Sequence, residues 1–525
     1  MNNFLKMLYR KNTFTENGAL SNSTTGSALL DYFSKCGTYR NRSLEEVFAD
    51  ISQMWDESPL DTIKIIFYNR IVTRKIKGFH QSEAVQKGQG NRDEFRKALI
   101  WLARYQPNTL SKNLWLIPLV GSWKDLWHQD TLGEIDKTEV YNLILRGIYC
   151  EYNSNLLSKY LPRIRSKSNI SNERHLALNA FALGLCKFLN WTPVQYRKFK
   201  SSGTAHQFQQ QISNRLFDQI DFKKVPGKAL HQMVNVTRED GSTFIERHNI
   251  DMKYLKWIKS QPVAKFTGYV YELMKAVSSS MSLAQKHTVD KQFEGLIRLA
   301  EAEETQQENV WCALDTSGSM QAAVADTTAF DICISLGVYF STLIKGAFQD
   351  HVIMFDNVSR VKKLSGTFSD KVLQLTKEQT AWGSTNFQSV IDTIVKMRRI
   401  QPDIPIADYP TTLVVVSDMQ FNPAGSMKTN YETAMRKLKQ VDLSEIRIVW
   451  WWVTGRGQDF PSTLDDKGTI LIGGFDGTII SQLIGKDVQS SKQDGQIGKV
   501  QSGPYEAMQR ALDQEVLNLL EYEQK

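Results

Sequence analysis

The segment Asp315-Thr316-Ser317-Gly318-Ser319-Met320 places a carboxylate and two hydroxyls at alternate positions, directly after the apolar run Val310-Trp311-Cys312-Ala313-Leu314. An apolar run of that length, bounded by a polar turn, reads as a buried strand. An Asp at its end, hydroxyls two and four residues on, and a Gly for the tight turn can present three oxygens to one hard cation. Gly383-Ser384-Thr385-Asn386 is a polar loop entering a helix, and Thr411-Thr412-Leu413-Val414-Val415-Val416-Ser417-Asp418 is a second buried strand ending in a carboxylate. Mg²⁺ takes six oxygens in a tight octahedron and keeps some of its waters. Ser317, Ser319 and Thr385 are expected as neutral direct ligands, with Asp315 and Asp418 acting directly or through water. A shell so poor in formal charge leaves Mg²⁺ (or Mn²⁺) electrophilic, with a position free for the carboxylate or phosphate of a partner. It suits binding better than hydrolysis, because the set offers no evident general base. A plain strand-end turn would also use Asp, Ser and Gly, but it does not call for a Thr and an Asp on two later elements.

Asp-x-Ser-x-Ser with a distal Thr and a distal Asp, in that order, resembles the metal-ion-dependent adhesion site of von Willebrand factor A domains. The surrounding pattern agrees. Residues 309–315, 351–356, 411–418, 447–454 and 469–475 read as strands, and 327–345, 368–377, 386–399 and 427–440 as helices. Strands alternating with helices of that length make a mostly parallel, doubly wound α/β sheet. Ligands of such sheets bind at the carboxyl ends of the strands, where Asp315 and Asp418 fall.

Residues 25 to about 300 are helical in pattern throughout. Arg92–Pro118 and Thr138–Pro162 echo each other, each an amphipathic helix, a polar break and a second helix closed by a proline. Such loose repetition points to an all-α, HEAT-like helical-repeat domain. Residues 486–503 are polar and glycine-bearing, as in a linker. Tyr505 to Glu521 reads as a final amphipathic helix, whose Leu512, Val516, Leu517, Leu519 and Leu520 need a groove to cover them. The expected division is therefore 1–305 helical, 306–485 α/β, and 486–525 linker and terminal helix. The α/β part is expected to fold alone, since it has its own sheet and covering helices.

The net charge of +8 is unevenly divided: residues 301–525 carry 21 Lys and Arg against 29 Asp and Glu, leaving a net of +16 on residues 1–300. A basic half of that size suggests a polyanionic partner. Basic and aromatic residues interleave at Tyr196-Arg197-Lys198-Phe199-Lys200, with Arg163, Arg165 and Lys167 nearby. Cations for phosphate and flat rings for stacking are what single-stranded RNA requires. A second basic group is Arg70, Arg74, Lys75, Lys77 and His80. Against this stands the reading in which Tyr196 and Phe199, three apart on a helix, are core anchors and the charges are merely solvated.

The five cysteines are dispersed, with no Cys-x-x-Cys, and read as reduced thiols of a cytoplasmic protein. No signal peptide is apparent, and the apolar runs are too short to span a bilayer. No His-Glu-x-x-His and no phosphate-cradling Gly-x-x-x-x-Gly-Lys occurs. The expectation is a non-enzymatic monomer without a membrane partner.

The two-part layout resembles the TROVE/Ro autoantigen architecture, and more closely an uncharacterised branch of Ro-like proteins. The resemblance spans about residues 17–480. It is carried by Asn17-Gly18-Ala19-Leu20 with Thr24-Thr25-Gly26-Ser27, by Arg92-Asp93-Glu94-Phe95-Arg96 with Trp101-Leu102, by Asn113-Leu114 to Pro118 with Gly121-Ser122-Trp123-Lys124-Asp125-Leu126, by Tyr196-Arg197-Lys198, and by the metal-site set. Ro proteins hold small structured RNAs and the single-stranded ends of misfolded ones in ribonucleoprotein particles. The resemblance therefore implies RNA on the helical domain and an acidic protein ligand at the metal of the A domain. The alternative is a protein-interaction scaffold or adaptor without an RNA role.

Overall fold

The computed structural model describes residues 12–72, 74–75, 85–149, 154–202, 207–301, 309–377, 382–425, 428–455, 457, 459–480 and 502–523. Two compact units emerge. One comprises Met1–Arg40 with Phe217–Ala511, the other Asn41–Leu216 with Leu512–Lys525.

The strands, in chain order, are β1 (Asn12–Phe14), β2 (Leu20–Asn22), β3 (Arg74–Lys75), β4 (Val85–Gln86), β5 (Val310–Asp315), β6 (Ala323–Val324), β7 (Thr327–Thr328), β8 (His351–Phe355), β9 (Ser359–Lys363), β10 (Thr412–Ser417), β11 (Arg447–Trp452) and β12 (Thr469–Gly473). Six of them form the main sheet, in the order β12-β11-β10-β5-β8-β9, parallel except for the β8–β9 pair. The five strands expected from sequence are β12, β11, β10, β5 and β8, five adjacent strands of that sheet. β9 carries no apolar run to announce it: Ser-Arg-Val-Lys-Lys is the composition of an edge strand, whose charges discourage further pairing. Trp450, Trp451 and Trp452 are all fully buried, so both faces of β11 are covered. The helices Ala329–Leu343, Phe368–Thr376 and Asn430–Lys439 fall within the expected ranges, and Gln388–Ile400 runs one residue beyond its own. The first begins at a capping box, in which Thr328 accepts from the Asp331 amide and the Asp331 side chain returns to Thr328. The chain leaves β5 for β8 on one side, whereas β10 pairs with β5 on the other. That reversal is the topological switch point, where a crevice opens beyond the strand ends.

The unit holding the sheet takes in more than residues 306–485. Phe293, on the helix Leu283–Glu301, stacks on Phe368 with ring centroids 4.2 Å apart. From the other end of the sequence, the helix Ala28–Lys35 packs on β12 so closely that a Cβ on Gly473 would lie 2.7 Å from the Ser34 carbonyl. The apolar faces of these segments find their cover on the sheet, which a linear division into blocks does not capture.

The other unit is helical: Leu44–Glu57, Pro59–Arg70, Arg92–Tyr105, Pro107–Asn113, Lys137–Tyr149, Ser154–Tyr160, Glu173–Phe188 and Pro193–Ser202 are its longer helices. The two echoing segments are two helix pairs. Arg92–Tyr105 starts at the Asn91 cap, and Pro107 starts its partner at a position where a missing N–H costs nothing. The end of the chain differs from expectation. A helix over Pro504–Leu512 gives way to a single 3₁₀ turn at Leu517–Leu519. Between them the Gln514 side chain accepts from the Lys87 amide at 2.8 Å and donates to the Lys87 carbonyl at 2.9 Å. Leu512, Val516, Leu517 and Leu520 are buried and Leu519 half-buried. Residues 486–501 of the expected linker lie outside the described residues. Among the described residues no helix is long and apolar enough to cross a membrane. Cys36, Cys186, Cys312 and Cys333 are buried free thiols, and Cys150 lies outside the described residues.

Candidate metal centre and nucleic-acid interface

Asp315 ends β5, and Asp418 directly follows Ser417, the last residue of β10; the two strands are neighbours, with Leu314 opposite Val416. Both carboxylates thus lie at the carboxyl ends of neighbouring strands and are almost entirely out of solvent, at 0% and 4% exposure. Asp315 accepts from the Ser317 amide at 2.9 Å and from the Ser417 hydroxyl at 2.5 Å, which fixes both its oxygens. The Ser317 and Ser319 hydroxyls lie 3.2 Å apart, and Ser319 also bonds the Asp418 side chain. Four of the five expected ligands therefore form one connected chain.

Thr385 joins through the backbone. Its loop forms a parallel bridge between Gly383 and Ser317, with the Gly318 amide donating to the Gly383 carbonyl at 2.9 Å. Glycine is needed at 383 because a Cβ there would meet the Asn357 side chain at 2.9 Å. Asn386 N donates to Asp356 O at 2.8 Å, and Asn422 N to Thr385 O at 2.9 Å, so the loop is held from both sides of β5. Thr385 itself is 1% exposed.

Burial, and after it the charge of Asp418, push the Asp315 carboxyl up to about 7, even though Ser317 and Ser417 pull it down. Burial raises Asp418 as well, with added repulsion from Glu16 and Asp459. Neither carboxylate has an ion pair with a Lys or Arg among the described residues. Two desolvated, mutually repelling carboxylates ringed by hydroxyls are short of positive charge, and a divalent cation would supply it. Among the described residues no group of three or more His, Cys, Asp or Glu is placed to hold a metal. The set is instead two carboxylates and three hydroxyls, a composition that fits a hard, oxygen-seeking ion such as Mg²⁺ or Mn²⁺ and not zinc.

The basic residues named from sequence separate into different roles. Tyr196 is fully buried, and its hydroxyl donates to the Pro162 carbonyl at 2.8 Å. It is a core anchor, not a stacking platform. Burial drives its phenol far above the ordinary range. Arg197, Lys198 and Arg163 are exposed, Arg165 and Lys200 half-buried. The side chain of Lys167 is not among those described. Arg70, of the second basic group, is buried and bonds Asp125 at 2.8 Å, as Arg96 does at 2.9 Å. Its charge is spent inside the fold. The side chains of Arg74, Lys75, Lys77 and His80 lie outside the described residues.

The fold adds residues that spacing did not reveal. The Lys124 ammonium sits 4.9 Å from the centre of the half-buried Tyr160 ring, and Lys159 5.8 Å from it. Burial, and then the charges of Arg163 and Lys124, hold the Lys200 ammonium below its ordinary range. Among the described residues Lys124, Arg163 and Lys200 have no carboxylate partner. Trp191 and Phe199, both half-buried, tilt against each other at 5.3 Å. Between residues 154 and 216 stand ten Lys and Arg against one Glu. Only long-range packing brings Lys124 to this strip.

Residues 309–518 match a family described as Domain of unknown function (DUF7788), and residues 15–133 a family described as Domain of unknown function (DUF2828). The chain is similar to an uncharacterized protein, L728, of Acanthamoeba polyphaga mimivirus, with 22% identity over 507 residues, covering 90% of this chain and 84% of the viral one. Among solved structures it is similar to the Ro (RSR) protein of Deinococcus radiodurans, with 12% identity, a TM-score of 0.42, and coverage of 87% of this chain and 97% of that one.

Proposed function

We propose that the protein is a non-enzymatic, cytoplasmic RNA-binding protein. Its helical unit holds structured RNA with a single-stranded end, and its α/β unit takes an acidic group of a protein partner through a divalent cation. The observation that carries the RNA half is the strongly basic stretch of residues 154–216, where Lys200 is crowded by Arg163 and Lys124 beside a half-buried ring, Tyr160. Like charges held together without counter-ions are stabilised by a polyanion, which also releases its own condensed cations. Tyr160, Phe199 and Trp191 replace Tyr196 as the candidate stacking rings. Asp315, Ser317, Ser319, Thr385 and Asp418 would hold the cation. When bound, it would offer an electrophilic position to a carboxylate or phosphate.

Labelled structured RNA, with and without a single-stranded 3′ tail, is to be titrated against the full chain at two salt concentrations. Tail-dependent binding that weakens steeply with salt is expected; no binding at low salt would overturn the RNA half. The second reading, a cation-dependent scaffold without RNA, is favoured by the full burial of Tyr196, which removes a ring from the interface. Nuclease-resistant recovery of one protein partner, lost on chelation, would promote it.

A further inference from the structure

The hairpin β1–β2 turns through Thr15-Glu16-Asn17-Gly18-Ala19, a sequence that the metal-site motif does not include. The turn is closed by the Thr15 amide on the Ala19 carbonyl and the Gly18 amide on the Thr15 carbonyl, both at 2.9 Å. Gly18 sits at φ +81°, which an L side chain resists. The turn is docked on the loop that follows Asp418. Thr15 Oγ donates to Phe421 O at 2.7 Å, and Glu16 N to Gln420 Oε1 at 2.7 Å. Asn17 Nδ2 donates to the Gln420 carbonyl and, by a long bond of 3.4 Å, to Thr385 Oγ. The Gln420 amide in turn donates to Asp418 Oδ1 at 3.1 Å. One exposed amide thus joins the candidate ligand Thr385 to Gln420, whose backbone amide holds Asp418.

We propose that Asn17 is a positioning residue of the cation site, orienting Thr385 Oγ through its side-chain amide and tying the Thr385 loop to the Asp418 loop. The proposal rests on the reading of Asp315, Ser317, Ser319, Thr385 and Asp418 as cation ligands. A hydroxyl that ligates a cation gives it one lone pair. A donor on the other lone pair then sets the rotamer, as outer-shell partners do for metal ligands generally. The amide is oriented without ambiguity, because the Gln420 carbonyl can only accept. Glu16 beside it places a second negative charge in the field of Asp418, so the same turn also favours a cation electrostatically. The hairpin has other anchors: the antiparallel Asn22–Phe460 bridge and a Ser21 hydroxyl bond to Asp459 at 3.0 Å. Removing the Asn17 side chain therefore leaves the hairpin in place.

The test is a double-mutant cycle on the full chain, with Mn²⁺ alone as the probe, its binding read by calorimetry or by the spin resonance of free Mn²⁺. Asn17→Ala is expected to weaken Mn²⁺ by about tenfold, at the lower end of outer-shell effects, with the metal-free melting temperature unchanged. In a Thr385→Ala background the same substitution should cost nothing further, because its route to the cation is gone. Full additivity of the two substitutions, or unchanged affinity in Asn17→Ala, overturns the inference while leaving the cation site standing. Failure of the parent chain to bind Mn²⁺, or equal binding by parent and Asp315→Ala, overturns the cation reading and this inference with it.

Discussion

The candidate cation site and the basic strip solve opposite problems. The candidate site gathers buried groups from β5, β10 and the 383–386 loop, with an exposed amide from the 15–19 turn, each fixed by at least one hydrogen bond. The basic strip is mostly one contiguous stretch whose described Lys and Arg are exposed or half-buried, and among the described residues Lys124, Arg163 and Lys200 have no carboxylate partner. Coordination demands a geometry accurate to a fraction of an ångström, which strand ends and hydrogen-bonded loops can supply. Phosphate attraction demands only local excess charge, which a flexible side chain on a helix supplies. The first should therefore respond to single atoms, and the second to summed charge.

The largest effect should come from cutting the chain. A fragment of residues 305–485 is expected to be molten or aggregated, because the helix Ala28–Lys35 and Phe293 are missing from its sheet and helices. A cooperative melt by circular dichroism would show the site's geometry to be more self-sufficient than the packing implies. Next, Mg²⁺ at one hundred times its dissociation constant should stabilise the full chain by about 2.7 kcal/mol, and Asp315→Ala should erase that rise in melting temperature. An equal response in parent and mutant would break the contrast at its cation end.

At the other end, replacing Arg163, Lys198 and Lys200 together by Ala should flatten the slope of log affinity against log salt by about 2 for single-stranded RNA. Different sequences should lose similar factors. A strong sequence dependence would mean that the strip reads bases and is not merely a field of charge. The pH dependence is smaller. In the metal-free protein Asp315 titrates near 7, well above an unfolded Asp. The stability its protonation lends is full below pH ~4 and fades as pH rises through about 7. Cation binding needs the carboxylate, so the Mg²⁺-induced rise in melting temperature should grow between pH 5.5 and 7.5. A flat response would remove Asp315 from the shell. Smallest of all, Tyr196→Phe should cost about 1 kcal/mol of stability from the lost bond to Pro162 and leave RNA affinity unchanged for tailed and duplex RNA alike.

What could be read from sequence follows the same divide. The apolar runs that became β5, β8, β10, β11 and β12 announce themselves because buried parallel strands need continuous apolar side chains. Asp315 and Asp418 were legible because each closes such a run. β9 was not, since it is a solvent-exposed edge strand with a polar sequence, whereas the other edge strand, β12, is buried. The contribution of Asn17 was invisible, because its partners Thr385 and Gln420 are 368 and 403 residues away. Tyr196 shows the opposite error. A ring among lysines has the right composition for stacking, but the i, i+3 spacing of Tyr196 and Phe199 equally places them on one helical face, and packing turned Tyr196 inward.

The docking of the first hairpin has a consequence in time. The Thr15 hydroxyl closes on Phe421, 406 residues later. At a synthesis rate of roughly 5–20 residues per second, the ribosome needs roughly 20–80 s to make that stretch. Throughout that interval the N-terminal hairpin has left the ribosome without its binding surface, and the wall it forms cannot exist. The candidate cation site is therefore finished long after one of its walls is made.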